Sequence, residues 1–168
     1  QLKGYDVLIR ATALARERVP NIRTVIVGGA EAARAEYAEA LRRQVEAEGL
    51  GGHVVFAGSQ RCLAEIYACG DVLVSANRAK PEAFGRSMAE ALAMGCPVIA
   101  SRFGGALDIV RDGVNGWLVA PGDAAELADR LVQASGASFT GLREDALSRF
   151  SLEQMVEKTL AVYGEVCG

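Results

Sequence analysis

The chain has 168 residues, a formal net charge of −3 and an apolar content of 51%. This length suits one domain that buries roughly 70% of its unfolded surface, and the longest apolar runs are too short to span a membrane. The mildly acidic charge excludes the basic footprint of a nucleic-acid binder, although a local anion site remains compatible with it.

Apolar periodicity predicts strands and helices that alternate along the chain. The elements of the first half are, in order, helix 5–18, strand 24–27, helix 31–48, strand 54–56, helix 63–69 and strand 71–75. Those of the second half are a helix from about 85 to 94, strand 97–101, helix 105–111, strand 116–119 and three helical segments from 124, 142 and 152. This alternation is typical of a parallel sheet with helices on both faces, so we predict one Rossmann-like α/β domain over residues 1–168.

Glycine-rich and polar loops follow the predicted strands at their carboxyl ends. These loops are Gly28–Gly29, Gly58–Ser59, residues 75–82 and residues 101–105. Because ligands of open parallel sheets bind at the carboxyl ends of the strands, the sequence predicts one shared cleft. The turn at Gly28 lacks the G-x-G-x-x-G pattern, which disfavours an NAD-type site. Gly104 and Gly105 follow a strand and open a helix, where glycine lets a ligand approach the backbone closely.

The segment Lys80–Glu90 places two glutamates eight residues apart across a Pro-to-Gly turn. Pro81 resists helix and Gly85 permits a tight bend, so a helix is predicted to begin near Gly85. The backbone N–H groups of residues 84–87 are then the free donors of its first turn, and such a turn is a ready phosphate site. Carboxylates beside a phosphate site suit a ligand with both phosphate and hydroxyl groups, which favours a nucleotide sugar.

Simpler interpretations compete for each charged residue of this site. A lone glutamate in a loop, such as Glu82, is usually a solvated surface residue. Glu90 lies among apolar residues in a helix with little other charge, so we expect it to need a partner, either ribose hydroxyls or a nearby arginine. Lys3 is equally compatible with a free surface lysine, and Arg86 with a diphosphate contact or with solvent.

The cysteines and the single histidine form no metal or catalytic pattern. The cysteines, none in CxxC spacing, are Cys62, Cys69, Cys96 and Cys167. His53 stands alone, so neither a zinc site nor a Ser-His-Asp or Cys-His set is predicted. We expect reduced core cysteines in a cytoplasmic protein. The chain starts at Gln1, shows no signal peptide and leads directly into a helix, which indicates a piece of a larger protein.

Several segments together resemble the carboxy-terminal domain of the group 1 glycosyltransferases (family 4, GT-B fold). The main similarity runs from Pro81 to Asp123: Pro-Glu-Ala-Phe-Gly-Arg with Glu90, then Ala-Met-Gly-Cys-Pro-Val-Ile-Ala-Ser, Gly-Gly-Ala and Asp-Gly-Val-Asn-Gly-Trp-Leu-Val-Ala-Pro-Gly-Asp. Residues 3–4, 26–28, 56–58 and 67–72 also fall where that family has its landmarks. The resemblance therefore covers essentially the whole chain.

The resemblance implies a domain that binds the nucleotide-sugar donor of a transferase that retains anomeric configuration and needs no metal or other cofactor for the chemistry. Glu82 would be the catalytic residue, in contact with the donor sugar near the reacting carbon. Glu90 would bind the ribose hydroxyls and Lys3 the diphosphate. The remaining binding residues implied are Phe84, Gly85 and Arg86 through their backbone amides, and Gly28, Gly58 and Ser59 around the nucleoside.

The chain departs from the family in parts that bear on activity. The first strand, the Gly-Arg pair before the lysine and the amino-terminal domain are absent, and Asp108 stands where glutamate is common. The resemblance implies a UDP-, GDP- or ADP-linked donor and a sugar or lipid-linked acceptor bound by the missing domain. Without that domain, we expect the fragment to be inactive alone. The full-length protein would be cytoplasmic or peripheral at the inner membrane face. A nucleotide-sugar epimerase of the same architecture and a non-catalytic nucleotide-binding module remain as alternatives.

Overall fold

The computed structural model describes residues 3–29, 35–80 and 82–167, with the backbone alone at Cys167. The strands are β1 Thr24–Val27, β2 Val54–Gly58, β3 Leu73–Ser75, β4 Val98–Ser101 and β5 Gly116–Val119. The helices are α1 Tyr5–Arg16, α2 Ala35–Ala47, α3 Leu63–Cys69, α4 Arg86–Ala93, α5 Ala106–Ile109, α6 Ala124–Ala134, α7 Leu142–Phe150 and α8 Leu152–Cys167. The predicted order and type of the elements are confirmed. The first four residues of the helix predicted over 31–48, and Pro81 of the predicted turn, lie outside the described residues.

All the strand pairings are parallel, as predicted for a Rossmann-like domain. They form two ladders, β1–β2 and β3–β4–β5. Within the described ranges no ladder joins β1 to β3, so the pairing is divided where the sequence suggested one continuous sheet.

Helices cover both faces of the β3–β4–β5 sheet, because β4 alternates its side chains between two cores. Val98 and Ala100 belong to one core, together with residues of α4, α5 and α7. Ile99 belongs to the other, with residues of α1 and α6. All four residues of β4 are buried, which fits a central parallel strand covered on both sides.

Helix α1 contributes to two cores at once. Leu8 and Ala11 pack in the core that contains Ile99, whereas Ile9 packs in a third core with residues of β1, α2 and β2. Ile9 and Ala11 are fully buried. The helix therefore lies against both ladders and positions its amino terminus near the end of β3.

The expected burial of the cysteines is correct for Cys96 and wrong for Cys62 and Cys69, which are exposed. The reason is local: α3 is seven residues long and has no buried residue, and Cys62 and Cys69 lie at its two ends. The side chain of Cys167 is outside the described residues. Across residues 3–29, 35–80 and 82–167, no helix is both long and apolar enough to cross a membrane.

Candidate active site

The amino terminus of α4 is built around Gly85. This residue is the N-cap of the helix and adopts φ 94°, a left-handed conformation; no side chain hydrogen-bonds to the N–H groups of the first turn. A Cβ at this position would lie 2.1 Å from Met88 Cε, the end of a flexible side chain, so it is chiefly the left-handed conformation that favours glycine here. The Met88 N–H donates to the Gly85 carbonyl at 2.9 Å. The N–H groups of Arg86 and Ser87 have no acceptor in the part of the chain that the structure describes, so the first turn presents open donors.

Glu82 is held by two donors on one carboxylate oxygen. Lys3 Nζ lies 2.6 Å from Glu82 Oε2, and Asn77 Nδ2 donates to the same oxygen at 2.9 Å. These two hydrogen bonds, that from Lys3 first, hold the pKa of the Glu82 carboxyl below its ordinary value. The carboxylate is therefore ionised at neutral pH, with Oε1 outside both bonds. We name Lys3, Asn77 and Glu82 the Glu82 cluster.

The amino terminus of α1 brings Lys3 to this cluster. Gly4 caps α1 at φ 65°, and a Cβ there would lie 1.9 Å from the Ala76 carbonyl oxygen. The backbone of Gly4 thus packs directly on the end of β3, and Lys3 reaches Glu82 although the two are 79 residues apart. The next residue after Ala76 is Asn77, which is buried. From the sequence, the loop over 75–82 was identified as a whole and Asn77 was missed. The available signal was a polar residue two positions after the end of a strand.

The turn after β4 packs against the Glu82 loop. The Gly105 N–H donates to the Glu82 carbonyl oxygen at 2.8 Å. A Cβ at Gly105 would lie 2.4 Å from the Phe84 carbonyl oxygen, so the close approach that glycine permits here is made by the protein's own backbone. Gly104, predicted with it, adopts φ 60° in the same turn. Both glycines therefore lie beside the loop that carries Glu82.

Glu90 lies on α4 and its partner is a tyrosine. The residue is exposed, and Tyr67 Oη of α3 donates to Glu90 Oε2 at 3.1 Å. Within the described ranges Glu90 forms no ion pair, so the arginine partner considered from the sequence is not the one observed. The prediction that Glu90 needs a partner overestimated its burial, because α4 turns this position outward.

Two glycine turns meet at the carboxyl ends of β1 and β2. The Gly28 N–H donates to the Gly58 carbonyl oxygen at 2.8 Å. Ser59 Oγ lies 2.5 Å from the position that a Cβ on Gly29 would take. Parallel pairing places these strand ends side by side, so the structure joins the two loops that the sequence identified separately.

Asp6 of α1 ties the Glu82 loop to α2. Its carboxylate lies 3.0 Å from Arg78 Nη1 and accepts a hydrogen bond from Tyr37 Oη at 3.3 Å. Arg78 follows Asn77 in the chain, so the ion pair restrains the loop that carries the Glu82 cluster. Tyr37 is half-buried, and burial is the first cause that raises the pKa of its phenol to about 12.

The sequence relationship is decisive for the family. A family model described as "Glycosyl transferases group 1" matches residues 1–136. The chain belongs to the group 1 glycosyltransferases. One relative, the D-inositol 3-phosphate glycosyltransferase of Actinosynnema mirum, is 35% identical over 177 aligned positions, which cover 98% of this chain and 42% of that protein. The chain therefore spans less than half the length of this relative.

Solved structures of group 1 glycosyltransferases and related enzymes share the fold. HepE of Anabaena, crystallised with UDP and glucose, superimposes with a TM-score of 0.87 at 30% identity, over 96% of this chain and 45% of that one. The carboxy-terminal domain of the group 1 protein LpcC from Francisella tularensis gives a TM-score of 0.74 at 28% identity, over 89% of this chain and 80% of that one. The predicted family and the predicted fold class are both confirmed.

The remaining predicted site residues lie at the start of α4. Arg86 is exposed and makes no ion pair with any residue that the structure describes. Phe84 is 48% exposed and its ring meets Phe150 edge-on at 5.9 Å between centroids. Among the described residues no group of three or more His, Cys, Asp or Glu side chains could hold a metal ion. Lys3 and the first turn of α4 supply positive charge beside Glu82.

Proposed function

We propose that residues 1–168 form the donor-binding domain of a retaining glycosyltransferase that uses a nucleotide sugar. The observation that carries this proposal is the Glu82 cluster beside the open first turn of α4. An ionised carboxylate, a lysine 2.6 Å from it and two N–H groups without an acceptor among the described residues lie on neighbouring segments. A sugar diphosphate offers hydroxyl groups to the first and phosphate oxygens to the other two.

The proposed roles follow from charge and exposure. Glu90 accepts hydrogen bonds from ribose hydroxyls through its exposed carboxylate. Lys3 and the backbone amides of residues 84–86 hold the diphosphate and the sugar, and Glu82 orients the sugar near its anomeric carbon. The turns at Gly28 and at Gly58–Ser59 border the nucleoside, and those at Gly104 and Gly105 support the donor loop.

Transfer breaks the bond between the anomeric carbon and the diphosphate, whose leaving oxygen keeps the electron pair. It forms a bond from that carbon to an acceptor hydroxyl oxygen, whose proton passes to the departing diphosphate or to water. Negative charge therefore grows on the diphosphate as the bond breaks. Lys3 and the amino terminus of α4 supply fixed positive charge at that place, which stabilises the transition state more than the ground state. We propose that these groups suffice without a metal ion. Lys3 also offsets the charge of Glu82, which would otherwise repel the diphosphate.

Relatives support a nucleotide sugar as the ligand. HepE of Anabaena has been crystallised with UDP, with UDP-glucose and with UDP and glucose. We propose a UDP-, GDP- or ADP-linked donor for this chain and a sugar or lipid-linked acceptor held by the rest of the enzyme. Because the chain spans 42% of its Actinosynnema relative, we propose that it binds donor but does not transfer alone. A cytoplasmic location would keep the exposed thiols of Cys62 and Cys69 reduced.

Calorimetric titration of the chain with UDP, GDP and ADP tests the proposal. We expect one nucleoside diphosphate to bind, and Glu90→Ala to raise its Kd by about tenfold or more, because a hydrogen bond to a charged group is lost. Glu157→Ala, which removes an exposed helical glutamate from α8, is the matched control and should leave the Kd unchanged. Failure of all three nucleotides to bind, or binding indifferent to Glu90, refutes the proposal.

A further inference from the structure

The carboxylate of Glu90 is fixed by a neighbouring helix, although its residue is exposed. Tyr67 Oη donates to Oε2 at 3.1 Å, which leaves Oε1 outside that bond. An exposed glutamate without such a partner samples several rotamers, and ordering it on ligand binding costs free energy. Here the ordering is already achieved by a bond between α3 and α4.

Tyr67 is itself held in place. Its ring is half-buried against the core that contains Met88 and Leu92 of α4. Its backbone carbonyl accepts the Gly70 N–H at 3.3 Å, which closes the end of α3. Burial first, and then the hydrogen bond to Glu90, raise the pKa of the phenol to about 12. The hydroxyl therefore remains a donor throughout the neutral range.

We propose that Tyr67 is a positioning residue for the donor nucleotide: it holds Glu90 so that the free carboxylate oxygen meets the ribose hydroxyls. The inference rests on the proposed function, in which Glu90 is the ribose ligand, and it adds a residue that does not touch the nucleotide. A tyrosine in this role contributes to affinity only through Glu90. Its effect therefore depends on both the carboxylate and the ribose hydroxyls.

The Kd values of UDP and of 2′,3′-dideoxy-UDP, which lacks both ribose hydroxyls, distinguish the positioning of Glu90 from a general structural role of Tyr67. If GDP or ADP binds more tightly than UDP, that nucleotide and its dideoxy analogue are used instead. We expect Tyr67→Phe to raise the Kd of UDP by about three- to tenfold, as for loss of one preorganising hydrogen bond. The Kd of the dideoxy analogue should change less than about twofold. In the Glu90→Ala background, Tyr67→Phe should have no further effect on UDP, since the coupling passes through Glu90.

Tyr37→Phe is the matched control, because Tyr37 is also half-buried and also donates to a carboxylate, that of Asp6. It should lower the melting temperature to a similar extent and leave the ratio of the two Kd values unchanged. If Tyr67→Phe weakens the binding of UDP and of dideoxy-UDP equally, the proposed role of Tyr67 is wrong but the proposed function stands. The same follows if Tyr67→Phe weakens the binding of neither nucleotide while Glu90→Ala still weakens that of UDP. Absence of any Glu90-dependent binding overturns the proposed function as well.

Discussion

Replacement of Gly4 by alanine tests whether the contact between α1 and the end of β3 positions the lysine of the Glu82 cluster. Two costs add at this position. An L-residue in the left-handed region costs roughly 1–2 kcal/mol, and Gly4 has φ 65°. The new Cβ would also lie 1.9 Å from the Ala76 carbonyl oxygen, far inside the ordinary contact range of 3.4–4 Å. Because the obstacle is backbone, α1 must shift, and we expect a total loss of about 3 kcal/mol or more.

Gly141→Ala is the control for the cost of placing an L-residue in the left-handed conformation. Gly141 caps α7 at φ 72°, close to the conformation of Gly4, and a Cβ there meets nothing within 4 Å. We expect this variant to lose only the conformational part, roughly 1–2 kcal/mol. Urea unfolding monitored by circular dichroism gives both free energies, and calorimetry with the bound nucleotide gives the Kd of each variant. If Gly4→Ala costs no more than Gly141→Ala, or binds nucleotide equally well, the argument for this contact is wrong.

Two further predictions concern titrating groups. Lys3→Met removes the first cause of the depressed Glu82 pKa, so NMR titration should show that pKa rise towards 4.5. A pKa that is depressed in the folded state gives stability that is present above the unfolded-state pKa and is lost as the pH falls through the folded-state pKa. The variant should therefore lose less stability in acid than the unmodified protein. An unchanged pKa would contradict the assigned cause. Iodoacetamide at pH 8 should label Cys62 and Cys69 and spare Cys96 in the folded protein. The reason is that burial raises the pKa of the Cys96 thiol to about 11. If mass spectrometry finds Cys96 modified in protein that has not unfolded, its burial is contradicted.

The elements of the fold were predictable because their signals are local. The β-branched run of β1 and the glycine at the start of α4 determine backbone conformation within a few residues. The apolar spacing of α6 does the same for its buried face, which includes Leu127 and Leu131. The family was also predictable, because its motif combines two glutamates at a set spacing with glycines that such turns require.

The partners of the two glutamates were not predictable, because they depend on tertiary packing. Glu82 meets Lys3 across 79 residues, and Glu90 meets Tyr67 across 23 residues. No periodicity links such pairs. The first contact exists only after α1 has packed on the end of β3, and the second only after α3 has packed beside α4. The division of the strands into two ladders and the exposure of α3 are likewise outcomes of packing between distant segments.

The arrangement of α1 has a consequence for the order in which parts of the protein open. Since Ile9 is anchored in one core and Leu8 in another, the helix cannot detach without loosening both. Amide protons in the middle of α1 should therefore exchange with solvent at the rate set by global unfolding. Those of α8 should exchange through local fraying, because none of its residues 152–166 is buried. Lys3, which lies just before α1 and contacts Glu82, is therefore attached to one of the segments expected to open last.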